Sequence, residues 1–322
     1  MTQAQITDIA ILALPLRTPF RQIQTREIAI FRGQRWAEFS PFLEYGDQES
    51  SQWLRAALSW ASDPLPALLR NSINVNATLP AVPLEKISST LAPFGKFKTV
   101  KIKVAETKEL AEDIFRVRKV RELYPEVKIR LDANGALDVE AALFLATQLN
   151  NLGLEYFEQP VATIAELKQL KQRLASENIN LKIAADESIR KAEDPLRVAR
   201  EEAADIAVIK VQPLGGIDRA LKIAAESGLE VVVSSALESS IGISQGLHLA
   251  GALPQLDYDC GLATAALLEA DVTTQPLIPI DGAIEIRQIE PEEELLEKYA
   301  AGEERKQWWL NRIERCLALL ES

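Results

Sequence analysis

Six charged residues lie within or at the ends of short apolar runs of this chain. Lysines and carboxylates are residue types that can carry out acid–base and metal chemistry. Two of the six lie two positions apart in Thr-Val-Lys-Ile-Lys, where alternation at period two places both on one face of a strand. The six are, in chain order, Lys101, Lys103, Asp132, Glu158, Asp186 and Lys210. Taken singly, each has a structural explanation, such as a lysine protecting an edge strand or an aspartate accepting a turn hydrogen bond. Their shared position favours one common site.

The three acids would meet if the apolar runs are parallel strands of a barrel, because barrel active sites lie where the strands end. Three carboxylates at one point repel one another unless a cation neutralises them, and ligand sets made only of oxygen favour Mg²⁺ or Mn²⁺. The single histidine, His248, excludes a His-rich zinc site and disfavours a histidine-based catalytic triad. We therefore expect Asp132, Glu158 and Asp186 to hold Mg²⁺, with Mn²⁺ as a possible substitute.

The lysines are expected on opposite sides of this metal. A divalent cation beside a bound carboxylate stabilises the negative charge that develops when the α proton leaves. Lysine can act as the base in such a step where a neighbouring cation lowers its pKa. The pattern therefore predicts removal of a proton α to a carboxylate.

The segment from residue 98 to about 261 contains short apolar runs that alternate with amphipathic helices, and these elements would position the charged residues. Strands are predicted at 100–104, 127–132, 154–158, 183–186, 206–210 and 230–234, with a weaker one at 255–261. Helices are predicted between them, at 107–123, 138–149, 164–177, 195–202, 217–226 and 240–252, and Thr163 with Glu166 forms a capping box. Strand and helix repeating at about 25 residues indicate a (β/α) barrel of the TIM type.

The first 95 residues lack this alternation and are predicted to form an α+β capping domain. A strand at 6–15 and a hairpin over 26–32 and 35–40 precede a helix that Asp47 would cap, and residues 16–25 are expected to form a polar loop. The barrel would span residues 96–281. The tail, 282–322, has a short strand at 283–287 and a helical stripe of Trp308, Trp309, Ile313 and Leu317, and would pack on the cap or barrel.

Composition narrows the possible functions. The chain has 322 residues, 47% of them hydrophobic and 26% charged, which fits a globular protein with a sizeable core. A net charge of −11 without a basic cluster disfavours nucleic acid as a partner, and no apolar run is long enough to span a membrane. The two cysteines, Cys260 and Cys316, lie far apart and the N-terminus lacks the pattern of a secretory signal, so we expect a cytoplasmic protein.

Five motifs resemble the muconate-lactonising-enzyme subgroup of the enolase superfamily: Lys101-Ile-Lys103, Asp132-Ala-Asn134, Glu158-Gln-Pro160, Asp186-Glu-Ser188 and Lys210. Within it, the segments 16–21, 36–45, 76–81, 234–240 and 261–264 resemble the o-succinylbenzoate synthase family. This resemblance implies an enolase-like fold and an Mg²⁺-dependent syn dehydration of 2-succinyl-6-hydroxy-2,4-cyclohexadiene-1-carboxylate, a small molecule of menaquinone and phylloquinone biosynthesis.

The resemblance also implies residue roles. Lys103 would remove the α proton and protonate the departing hydroxyl, and Lys210 would stabilise the developing charge from the other face. Loop 16–25 would close over the mouth. The implied substrate-binding residues are Lys101, Asn134, Ser234, Ser235 and Gly261.

Two departures from the family pattern bear on specificity rather than on reaction type. Ala263 stands where many relatives have aspartate, and Ala236 stands where some have a third serine. An N-succinylamino acid racemase or a dipeptide epimerase of the same superfamily remains an alternative. Asp257 and Asp259 superficially match an epimerase motif, but they precede Gly261 instead of following it. An alternative of another class is a catalytically silent metal-binding barrel.

Overall fold

The computed structural model describes residues 7–20, 23–107, 109–191 and 194–321. Its first sheet is antiparallel, in the order β1-β2-β3, with bounds Thr7–Phe20, Ile23–Arg32 and Trp36–Phe39. Pairing of Arg32 with Trp36 confirms the predicted hairpin. Helix α1, Asp47–Ser62, follows and buries Trp53, Leu54 and Leu58. Strands followed by a helix confirm the predicted α+β cap.

Two predictions in the cap are wrong. Most of the segment 16–25 is strand and not loop: β1 extends to Phe20, which pairs with Ile23 of β2, while residues 21 and 22 lie outside the described ranges. Burial of Leu16 and Phe20 explains this, because apolar side chains continue to fill the inner face between polar neighbours. Asp47 does not cap α1 but is its first helical residue, and Gly46 occupies the cap position without a side-chain bond.

Within the described ranges, seven strands form a parallel sheet that follows chain order from β5 to β11. Its members are β5 Ala77–Leu79, β6 Thr99–Lys103, β7 Lys128–Asp132, β8 Leu154–Glu158, β9 Lys182–Ala185, β10 Ile206–Ile209 and β11 Glu230–Val233. Six of them correspond to predicted strands. The three-residue β5 was not predicted, so the expected boundary at 95/96 falls after the first strand of this sheet.

The weaker strand predicted at 255–261 is replaced by two isolated parallel bridges. One joins Cys260 to Val75 and the other joins Gly261 to Ser234, so the ladder continues from β11 back towards β5. Strand β4, Ser72–Asn74, pairs instead with β12, Ala283–Glu285, in a separate antiparallel pair. Together with the helices outside, this sheet confirms an α/β barrel of the TIM type.

The six helices predicted after the strands are present, with ends shifted by a few residues, and three short helices at residues 87–91, 187–190 and 211–214 were not predicted. Their bounds are α2 Ile87–Leu91, α3 Leu110–Leu123, α4 Val139–Leu149, α5 Ile164–Ser176, α6 Glu187–Arg190, α7 Arg197–Arg200, α8 Val211–Leu214, α9 Ile217–Ser227 and α10 Ser240–Ala252. The capping box predicted for α5 is confirmed, with Thr163 and Glu166 bonding each other's backbone amides. Four short 3-10 turns, Leu84–Lys86, Ala92–Phe94, Asn150–Leu152 and Thr264–Leu267, are also described.

The tail returns to the cap through α11, Glu293–Lys298, and α12, Glu303–Glu321. The ring of Trp309 is buried and meets Phe39 edge to face, with 5.7 Å between ring centroids. Arg312 donates to the carbonyl oxygens of Phe42 and Tyr45 in the cap. The predicted apolar stripe therefore faces the cap, except that Trp308 is only half-buried.

Both cysteines, Cys260 and Cys316, are buried and free. Among the described helices, none combines the length and the apolar character that crossing a membrane requires.

Candidate active site

A cavity opens where the barrel strands end and the cap covers them. About 510 Å³ in and around this opening is free of protein atoms, with the open solvent at its mouth included. Barrel residues in its wall include Lys101, Lys103, Asp132 and Lys210. Strand β6 is paired with β5 on one side and β7 on the other, so Lys101 and Lys103 do not lie on an edge strand. Protection of a sheet edge therefore does not explain these two lysines.

One group of ion pairs surrounds the two lysines of β6. The Nζ of Lys103 lies 2.5 Å from Oδ2 of Asp132. The Nζ of Lys101 lies 2.9 Å from each carboxylate oxygen of Glu158 and 3.3 Å from Oδ2 of Asp132. All four side chains are buried.

A second group lies across the barrel mouth, after β9 and β10. The Nζ of Lys210 lies 2.6 Å from Oδ2 of Asp186, and Nε of Arg190 donates to the other oxygen of this carboxylate at 3.1 Å. Strands β7, β8 and β9 separate Lys103 from Lys210 along the sheet. The two lysines therefore reach the same cavity from different sides.

The three acids respond differently to burial. Burial opposes ionisation of Asp132, but the ammonium groups of Lys103 and Lys101 outweigh it and hold its pKa below the ordinary value. Burial likewise opposes ionisation of Asp186, where Lys210 and Arg190 outweigh it and lower the pKa to about 2. At Glu158, burial and the charge of Asp132 together raise the pKa to about 7, although Lys101 opposes them. The negative charge of Glu158 is therefore the least compensated of the three.

The three acids are not arranged closely enough to bind a metal ion in this conformation. Among the described residues, no three His, Cys, Asp or Glu side chains gather closely enough to hold an ion, and each of the three acids is paired with a lysine instead. The donor set nevertheless fits a hard divalent cation, because it consists of buried carboxylate oxygens. Repulsion of Glu158 by Asp132 and Asp186 marks a place where an added positive charge would be stabilised.

Asn134 links the first group of ion pairs to the second. Its backbone is left-handed, with φ of 48°, and its Oδ1 accepts a bond of 2.6 Å from Nζ of Lys103. Its Nδ2 donates to Oε1 of Glu187 at 3.2 Å, and the same oxygen accepts from Nη2 of Arg190 at 2.8 Å, which joins Asn134 to the second group. Gln159, a buried residue to which the sequence assigned no role, accepts from the backbone amides of Asp186 and Ser188 and so fixes the start of α6.

The predicted substrate-binding residues after β11 also lie in the cavity wall. Ser235 donates to the carbonyl oxygen of Gly261 at 2.6 Å and lies 2.8 Å from the hydroxyl of Thr264. A Cβ at Gly261 would lie 2.4 Å from Oγ of Ser234, so only glycine fits beside this serine. Ser234 lines the same wall.

Three aromatic residues of the cap, Phe20, Phe42 and Tyr45, complete the cavity. Nζ of Lys103 lies 5.6 Å from the centre of the Phe20 ring, within the range of a cation–π contact. The sequence did not identify these side chains as site residues, although all three fall in segments that resemble the family. An aromatic residue that lines a cavity has the same local pattern as one that fills a core.

Family models match both parts of the chain. An "enolase N-terminal domain-like" model matches residues 11–61, and an "enolase C-terminal domain-like" model matches residues 88–291. Among solved structures, muconate lactonizing enzyme from Pseudomonas putida has a TM-score of 0.76 at 21% identity, covering 91% of this chain and 98% of that one. The enzyme from Pseudomonas fluorescens complexed with muconolactone has a TM-score of 0.78 at 21% identity, covering 92% and 99%. These structural neighbours establish the fold.

Sequence relatives are closer. A protein named o-succinylbenzoate synthase from Mycolicibacterium smegmatis is 48% identical over 96% of this chain and 95% of its own length. Proteins of the same name from Mycobacterium leprae and Mycobacterium tuberculosis are 48% and 46% identical, each over 99% of this chain and over 94% and 96% of their own lengths. Members of the enolase superfamily use a divalent metal, typically Mg²⁺. The chain belongs to the enolase superfamily, in the family of the o-succinylbenzoate synthases.

Proposed function

We propose that the chain catalyses the o-succinylbenzoate synthase reaction, in which 2-succinyl-6-hydroxy-2,4-cyclohexadiene-1-carboxylate loses water to give 2-succinylbenzoate. The observation that supports this most strongly is 46–48% identity to proteins of that name over nearly the whole chain. The substrate is a small molecule of menaquinone or phylloquinone biosynthesis, and the protein is expected to act in the cytoplasm.

Lys103 is the proposed acid–base residue. It removes the ring proton α to the substrate carboxylate, the carbon–oxygen bond to the hydroxyl breaks, and the same ammonium group protonates the leaving oxygen to give water. One residue serves both transfers because a syn elimination presents proton and hydroxyl on one face. Asn134 accepts from Nζ of Lys103 at 2.6 Å and holds this group towards the cavity.

Lys210 is proposed to act by charge from the opposite side. Its ammonium group faces the cavity from the end of β10, where it would attract the negative charge that develops on the substrate carboxylate. Asp186 pairs with it at 2.6 Å and fixes its position. A charge of this kind need not exchange a proton.

Mg²⁺ is the proposed cofactor, and Asp132, Glu158 and Asp186 would hold it. When bound, it would supply electrostatic stabilisation of the charge on the substrate carboxylate. The lysines that pair with these acids would then be released from part of their ion pairing. The proposed substrate contacts are Lys101, Asn134, Ser234, Ser235 and Gly261, with the serines near the succinyl tail.

The proposed division of the chain gives a cap of residues 1–95, a catalytic barrel of residues 96–281 and a tail of residues 282–322, except that β5, within the first range, belongs to the barrel sheet. The cap closes the site from above, and the ring of Phe20 at the end of β1 has its centre 5.6 Å from Nζ of Lys103. The described parts of the segment 16–25, residues 16–20 and 23–25, are proposed to act as the cover of the mouth.

A racemase acting on N-succinylamino acids is the second candidate. The observation that favours it is the placement of two lysines on different sides of one cavity, since proton exchange between two faces needs a base on each.

Turnover measurements distinguish the two candidates. The protein is incubated with Mg²⁺ and the cyclohexadiene substrate, and formation of the aromatic product is followed by absorbance, with the Lys103→Ala variant as control. A parallel incubation with an N-succinyl-L-amino acid follows loss of optical rotation. We expect dehydration by the unchanged protein and none by the variant. Racemisation without dehydration would assign the second function. If the protein shows neither dehydration nor racemisation, both candidate functions are rejected.

A further inference from the structure

Two charged residues of the cap, Arg26 and Glu38, are buried against the barrel and take no part in the proposed chemistry. Their exposed fractions are 1% and 0%. Both contact the turn between β11 and α10, residues 236–239, which we call the mouth turn. Ala236 and Leu237 of this turn line the cavity. The cap therefore touches the cavity wall through buried charges as well as through its aromatic side chains.

Arg26 lies between the two walls of the cavity. Its Nε donates to the carbonyl oxygen of Leu237 at 3.0 Å, and Nη2 lies 3.4 Å from the carbonyl oxygen of Ala236. On its other side the guanidinium stacks on the ring of Phe42, with 4.2 Å from Cζ to the ring centre. Phe42 is itself a cavity residue. One side chain thus links the aromatic cap wall to the barrel wall.

Glu38 holds the other end of the mouth turn. Its carboxylate accepts from the amide of Ser239 at 3.1 Å, from the hydroxyl of Ser239 at 2.5 Å and from the amide of Gly242 at 3.1 Å. These amides belong to the first turn of α10, which leaves them without partners inside the helix. A Cβ at Gly242 would lie 2.5 Å from Cβ of Glu238 and 3.0 Å from Cδ of Glu38, so glycine leaves room for both glutamate side chains.

The mouth turn needs such support because its conformation is unfavourable. Leu237 has φ of 64°, a left-handed backbone that a branched side chain adopts at a cost. Its side chain is buried, so the turn cannot relax outwards without exposing it. Hydrogen bonds from Arg26 to the carbonyl oxygen and from Ser239 to Glu38 flank this residue on both sides.

We propose that Arg26 and Glu38 are positioning residues that fix the mouth turn and set the width of the cavity between Phe42 and Leu237, where the tail of the substrate binds. The inference rests on the proposed function for the identity of that tail. Neither residue contacts the acids or the lysines in the interactions described above. Substitution should therefore weaken substrate binding more than it slows the chemical step.

Conservative variants with matched controls test this. Arg26→Lys keeps the charge of the side chain and Glu38→Gln keeps its size, but each loses part of the hydrogen bonding. Arg35→Lys is the control for the arginine, because Arg35 donates to the carbonyl oxygens of Trp60 and Asp63 and packs on the Trp60 ring, all within the cap. Asp271→Asn is the control for the glutamate, because Asp271 accepts from the amide of Ser240 at the same helix terminus.

For Arg26→Lys and Glu38→Gln we expect KM, and Kd for 2-succinylbenzoate in Mg²⁺, to rise about tenfold, the effect of losing one or two net hydrogen bonds. The kcat value should stay within about threefold, because contacts with the tail stabilise the bound substrate and the transition state equally. In both control variants KM should be unchanged even where the melting temperature falls. Unchanged KM in the first two variants, or an equal rise in the controls, would overturn the proposal.

Hydrogen exchange of the unsubstituted protein gives a second readout that needs neither activity nor a variant. The amide of Ser239, which donates to Glu38, should exchange as slowly as those of β3, since cap and turn would open together. Fast exchange of this amide beside a protected β3 would refute the anchoring. Absence of turnover in the unsubstituted protein would instead reject the proposed function while this exchange measurement still decides the anchoring.

Discussion

Replacing each catalytic lysine by arginine separates the roles proposed for Lys103 and Lys210. Arginine keeps the positive charge but does not give up its proton at any ordinary pH, so it cannot act as a base. If Lys103 carries out both proton transfers, Lys103→Arg should be as inactive as Lys103→Ala. If Lys210 acts only by charge, Lys210→Arg should retain activity despite its bulkier guanidinium.

The expected loss of activity in each variant follows from the role proposed for its lysine. Positioned acid–base catalysis is worth about 10²–10⁴-fold, and because Lys103 would serve two transfers its loss should reach or exceed the upper end. Removing a preorganised charge stabiliser costs about 10²–10³-fold, and Lys210→Arg should lose less than this because the charge remains.

Neither substitution leaves a buried carboxylate without an ion-pair partner, a defect that lowers the unfolding free energy by about 3–5 kcal/mol. Without Lys103, Asp132 still has Lys101 at 3.3 Å, and without Lys210, Asp186 still has Arg190 at 3.1 Å. The loss of activity should therefore reflect chemistry and not unfolding.

The assay is steady-state turnover of the cyclohexadiene substrate by both arginine variants, with melting temperature and Mg²⁺ affinity measured for each. Lys210→Arg should be faster than Lys103→Arg by at least tenfold. Equal loss in the two variants, with fold and metal binding intact, would refute the one-base assignment and favour a two-base racemase.

Three further predictions concern the metal, a helix cap and the cysteines. Removing Mg²⁺ with a chelator should abolish turnover while the circular dichroism spectrum stays unchanged, because lysines already pair with the three acids; full turnover in excess chelator would contradict the metal requirement. Thr163→Ala should lower the unfolding free energy by about 1 kcal/mol in urea without changing kcat/KM, since it removes only the capping box of α5; a change in kcat/KM would contradict this. Burial raises the pKa of Cys260 to about 12 and of Cys316 to about 11, so at pH 8 both thiols are protonated and should react with a thiol reagent only after unfolding. Rapid labelling of the native protein would show that these burial assignments are wrong.

Much of the barrel could be predicted because its strands are short apolar runs with a charged residue at the end. The same periodicity that defined β6, β7 and β8 also placed Lys103, Asp132 and Glu158 at their carboxyl ends. Capping chemistry located the start of α5 equally well. The three-residue strand β5 could not be found in this way, because so short a run has no measurable period.

The cap was harder to predict because polar residues interrupt its longest strand. Arg17, Thr18 and Pro19 indicate a loop locally, yet Leu16 and Phe20 on either side are buried and the strand continues. Pairing with β2 decides the outcome, and that pairing is a tertiary property.

The site was predicted in its charges but not in its pairing. A sequence shows that three acids and three lysines can meet, whereas which carboxylate takes which ammonium group depends on side-chain geometry after packing. The contributions of Phe20, Phe42 and Arg26 depend on how the cap docks on the barrel. No local pattern contains that information.

Anomalous diffraction would locate the divalent cation that we propose Asp132, Glu158 and Asp186 hold between Lys103 and Lys210. Crystals grown with Mn²⁺ and 2-succinylbenzoate would be measured near the manganese absorption edge. We expect one strong anomalous peak in contact with oxygens of all three acids, with the product carboxylate beside it and Nζ of Lys103 facing the ring. A peak elsewhere, or ordered product in the cavity with no peak at the three acids, would show that these residues are not the metal site.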